Sequence, residues 1–217
     1  MQPFTLLLAL LPLIGYLLVF SLIRLSGMTL VTTAGRDIAA LAIAISGMLA
    51  VGPAELFFPS SAATVFGPLV WFALAGFYAL SVALIALTSQ PKLVVYGRTP
   101  EEIFQPLMSA AQEIDAKATG DDRTLQIAMP SIGIRIRVDG QRGIDCSQVV
   151  AFEPNVSPVF WNKLLAGLRR HAASATPVPR RGFAMLVVAL LMGTVLLWQS
   201  LGNGELVVEG FRDWLWR

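Results

Sequence analysis

One cysteine, one histidine, sixteen Lys and Arg and fourteen Asp and Glu supply most of the reactive and charged chemistry of this 217-residue chain. A protein-only zinc centre, a disulfide framework, a Cys-held iron–sulfur cluster and bis-His haem ligation each need more Cys or His than that. No metal and no cofactor are therefore expected. Cys146 stands between Asp145 and Ser147 with no CxxC partner and no base nearby in sequence to lower its pKa, so it is not expected to act as a nucleophile. His171 closes a predicted helix behind Arg169 and Arg170, where a cation suits the exposed carbonyls, and reads as a capping or linker residue rather than a catalyst. Asp121, Asp122 and Asp139 have hard-cation chemistry, but acids of this kind in turns are first of all solvated. Gly-x-Ser-x-Gly, phosphate-cradling glycine loops and His-Glu-x-x-His are absent, and no catalytic residue is assigned.

The arginines are the remaining candidates. Arg135 and Arg137 alternate with Ile134 and Ile136, which puts both on one face of a predicted strand, with Arg142 in the turn beyond. Arg169 and Arg170 join them if their helix ends on that side. Such a set could meet anionic lipid headgroups, each base contributing about 1 kcal/mol near a membrane surface, or a protein partner. The plainer reading is a solvated sheet face whose charge sets topology. Nucleic acid is not an expected partner: the net charge is only +2, and Ile132–Val138 offers no aromatic for base stacking. Arg36 and Asp37 form a second pair, beside an apolar run. They read either as a gating or partner contact, or as residues that orient a helix at the membrane interface, and the interface reading is preferred.

The elements that position these residues are mostly apolar. The chain is 55% hydrophobic and 14% charged, with mean hydropathy +0.67, against about 45–50% and about 25% in soluble domains. Phe4–Ile23 is an uncharged run about 30 Å long as a helix, enough to span. Pro12 and Gly15 predict a kink in it. No Lys or Arg precedes it and no small-x-small site follows, so an uncleaved anchor is expected. Ile38–Val51 reaches only about 21 Å as a helix. It spans if its helix starts near Met28, and otherwise forms a re-entrant hairpin. Thr64–Thr88 and Gly182–Leu201 are uncharged spans. With no ionisable residue in the first, third or fourth run, ion or proton pumping by this chain alone is not expected. Ala42, Ser46 and Ala50, then Ala75, Ala79 and Ala83, then Ala189 and Gly193 form small-residue stripes that let helices approach closely.

Twelve of the sixteen basic residues fall within 89–181, which predicts a cytoplasmic block between the third and fourth runs. The amino terminus is outside if the second run spans and inside if it does not. Within 89–171, Lys92–Gly97 reads as a strand. Thr99-Pro100-Glu101-Glu102 reads as a capping box that opens a helix to about Ala118, with Pro106 as a blemish. Thr124–Met129, Ile132–Val138 and Ser147–Glu153 read as strands, with Asp139-Gly140 as a turn. Ser157-Pro158 opens a second helix carrying Phe160, Trp161, Leu164, Leu165 and Leu168. Residues 172–181 read as a linker. In the tail, 202–217, an amphipathic helix would place Phe211, Trp214 and Leu215 in the outer interface.

The expected fold is an α-helical integral membrane protein of three to four transmembrane helices, with an inserted small α+β cytoplasmic domain. Its order is β-α-β-β-β-α, ferredoxin-like if two middle strands are one bent strand. The expected location is the inner membrane. The expected role is binding, as an accessory or assembly subunit of a membrane complex, with membrane lipids and a protein partner or second copy as contacts. The alternatives are a headgroup or ligand sensor or enzyme using the basic sheet face, and a passive oligomeric transporter or channel.

Overall fold

A computed structural model describes residues 3–53, 65–141, 144–174 and 182–215. Four of its helices are long and apolar enough to cross a membrane: α1 (Pro3–Leu25), α2 (Ala34–Val51), α3 (Leu69–Thr88) and, late in the chain, α6 (Phe183–Gly202). The chain divides into two compact units. The first comprises 1–21, 38–87 and 184–217; the second comprises 22–37 and 88–183.

The helical unit is held together at small residues. Ala42, Ala44 and Ala189 are buried. At Gly47 of α2, a side chain would collide with the backbone carbonyls of Leu8 and Ala9 on α1. Only glycine permits this approach, the close packing that apolar helices use where hydrophobic burial gives no drive between them. The Tyr78 hydroxyl of α3 donates to the carbonyl of Ala42 on α2 at 2.7 Å. A final helix, α7 (Gly204–Leu215), places Trp214 on Trp71, ring centroids 3.8 Å apart, and Phe211 edge-on to Phe4 at 5.7 Å. Phe211 and Trp214, expected simply to face the membrane interface, thus also pack on the chain's own helices. Outward from the helices, Phe72, Phe77, Leu80, Leu87, Leu191 and Trp198 are exposed.

The second unit is built on a six-stranded sheet: β1 (Leu30–Thr33), β2 (Lys92–Tyr96), β3 (Thr119–Asp121), β4 (Gln126–Met129), β5 (Ile134–Gly140) and β6 (Cys146–Ala151). The order is β1-β2-β6-β5-β4-β3 and each neighbouring pair is antiparallel. Alternation gives one apolar face, formed by Leu93, Val95, Ile127, Met129, Ile136, Val138 and Val149. Helices α4 (Pro100–Ile114) and α5 (Pro158–Ser174) cover it with Ile103, Leu107, Leu164 and Leu168. Burying an aliphatic side chain of this size contributes about 1.5–3 kcal/mol. The capping box forms as its sequence dictates: Glu102 N–H donates to Thr99 Oγ1 at 3.4 Å, and Thr99 N–H donates to Glu102 Oε2 at 2.9 Å.

Four details depart from the sequence reading. Leu30–Thr33 is a strand paired with Leu93–Tyr96, so the second apolar helix starts at Ala34 rather than Met28. Asp139 and Gly140 belong to β5, opposite Gln148 and Ser147, and form no turn. Gly140 is needed there for room: a Cβ would sit 2.7 Å from Pro100 Cγ and 3.0 Å from the Cys146 carbonyl oxygen. Helix α4 stops at Ile114, where Asp115 turns extended, and frees residues for β3. The strand order is also not ferredoxin-like. That pattern returns a strand after its second helix, whereas no strand follows α5 among the described residues, and β1 supplies the edge beside β2.

Through β1, the α1–α2 connection and the α3–α6 connection share one sheet. The chain enters this unit from α1, leaves into α2, re-enters from α3 and leaves into α6.

Candidate functional site

The sheet face opposite α4 and α5 bears the candidate arginines. Arg135 and Arg137 project from β5 between the core residues Ile134, Ile136 and Val138. Both guanidiniums lie over the exposed ring of Phe152, at 5.4 and 5.5 Å from its centroid. Arg135 also faces Glu153, 3.6 Å from Nε to Oε1, and its backbone N–H donates to Glu153 Oε2 at 2.9 Å. Arg137 donates to Asp139 at 2.9 Å, which raises the pKa of its guanidinium further still. Both positive charges of the pair thus have carboxylates within the chain.

Arg169 and Arg170 are elsewhere. Arg169 donates through Nε and a terminal nitrogen to the Val31 carbonyl, at 3.1 and 2.8 Å, and so caps the free side of edge strand β1. Arg170 and His171 meet Glu113 of α4 at 2.7 and 2.9 Å. The helix end therefore lies on the covered side of the sheet, and Arg169 and Arg170 do not join Arg135 and Arg137 in one patch. Arg142 lies outside the described residues. Asp37 accepts from the Tyr96 hydroxyl at 2.8 Å, which brings the first turn of α2 to β2, while Arg36 is exposed.

Two buried polar links had no signature in the sequence. Arg24, at the end of α1, grips Asp145 in a two-pronged contact, Nε to Oδ2 at 2.9 Å and a terminal nitrogen to Oδ1. Arg98, 4% exposed, donates to Thr29 Oγ1 at 2.7 Å, and desolvation lowers its pKa although Glu102 opposes the shift. Cys146 is half-buried, and its thiol pKa is pushed up by burial and then by the Asp37 and Asp145 carboxylates, with Arg24 opposing. A raised pKa keeps the thiol protonated and a poor nucleophile at neutral pH.

The helical unit contains an apolar cavity of about 400 Å3 among Pro12, Gly47, Ala50, Trp71, Ala75 and Tyr78. The sheet unit has a smaller, more polar one of about 230 Å3, lined by Gln90, Lys92, Phe152, Glu153 and Trp161 among others. Among the described residues, no three His, Cys, Asp or Glu side chains are grouped to hold a metal ion. Compared with known proteins, the chain matches no protein family, no curated protein and no solved structure.

Proposed function

We propose that the chain is a four-span protein of the inner membrane whose sheet unit lies in the cytoplasm and acts by binding, as an accessory or assembly subunit of a membrane complex. Several observations support membrane placement: the four apolar helices, their outward-facing Phe77, Leu80 and Trp198, and the charge distribution. Fourteen of the sixteen basic residues fall in 22–37 and 88–183, the two stretches of the sheet unit. Because both connections enter one sheet, α1 and α2 would cross in opposite directions, and the amino terminus would be outside.

The observation that supports binding most is the Phe152 site. An exposed aromatic flanked by two guanidiniums, on the sheet face opposite α4 and α5, has the composition of an interface hot spot. Phe152 would be the apolar anchor, and Arg135 and Arg137 would turn from their internal carboxylates toward an acidic rim on the partner.

The test is crosslinking in native membranes, gentle solubilisation of the tagged full chain and mass spectrometry of what it retains. A stoichiometric protein partner, lost on Phe152→Glu, is expected. Recovery as a lone monomer, or a partner retained equally by Phe152→Glu, contradicts the reading.

A further inference from the structure

We draw no further inference here: the strongest candidate, the apolar cavity of about 400 Å3 that Pro12, Gly47, Trp71 and Tyr78 line in the helical unit, carries nothing because nothing in the structure shows what covers or fills it.

Discussion

Arg24 and Asp145, 121 residues apart, form a two-pronged ion pair that fastens the end of α1 to the residue preceding β6. Asp145 is nearly buried, its side chain 7% exposed, so its charge depends on that guanidinium for compensation. A buried carboxylate stripped of its partner costs far more than a surface pair gains. The contact therefore ties the chain's first apolar helix to the folding of a sheet assembled mostly from residues beyond position 88.

Arg24→Ala is expected to destabilise the sheet unit by about 3 kcal/mol. Arg24→Lys should recover only part of this, because an ammonium cannot reproduce the guanidinium's paired donors. Hydrogen exchange of β6 amides in detergent or nanodiscs reads the effect. Unchanged protection in Arg24→Ala would mean that the pair contributes nothing.

Gly47 and Gly15 should respond in opposite ways. Gly47→Val forces α2 away from the carbonyls of Leu8 and Ala9 and should lower the thermal midpoint by several degrees or prevent assembly of the helical unit. Gly15 has nothing within 4 Å of its missing Cβ, so Gly15→Ala should be neutral or slightly stabilising. Thermal denaturation of the two purified variants compares them directly.

Asp115 closes α4 and accepts the backbone N–H groups of Lys117 and Ser131, each at 2.9 Å. Desolvation pushes its pKa up, but these bonds outweigh it, and the carboxyl titrates below its ordinary value. A depressed folded-state pKa adds stability that is present above the unfolded value, near pH 4, and is lost as pH falls through the folded value. Asp115→Asn should lower stability at neutral pH and flatten the loss below about pH 4. A pH series of unfolding midpoints for the two proteins checks the slope.

Cys146 should resist alkylation. With its thiol held protonated by burial and the flanking carboxylates, iodoacetamide at pH 7.5 should modify the folded protein many times more slowly than the denatured chain. Removing Arg24, the group that opposes the shift, should slow it further if the fold is kept. Rapid modification of the folded protein would argue against this environment.

What the sequence made legible is what short-range chemistry encodes. The Thr99–Glu102 capping box and the Ile134–Arg135–Ile136–Arg137–Val138 alternation need only their own neighbours, and both are found in the structure. What it concealed depends on distant partners. Leu30–Thr33 reads as the fringe of an apolar run until β2, some sixty residues later, pairs with it. Asp139-Gly140 has the composition of a turn, yet Gly140 serves a close approach to Pro100 inside a strand. Arg169 resembled Arg135 and Arg137 by type, and the fold separated them onto different sides of the sheet.

The account stands most directly on sidedness. Single cysteines placed by Lys163→Cys in the sheet unit and Asn203→Cys beyond α6, each in a Cys146→Ser background, can be labelled with an impermeant maleimide in right-side-out membrane vesicles. The account predicts labelling at position 203 in intact vesicles and at position 163 only after permeabilisation. Labelling of position 163 in intact vesicles would contradict a cytoplasmic sheet unit, and labelling of both positions from the same side would contradict a single crossing between them.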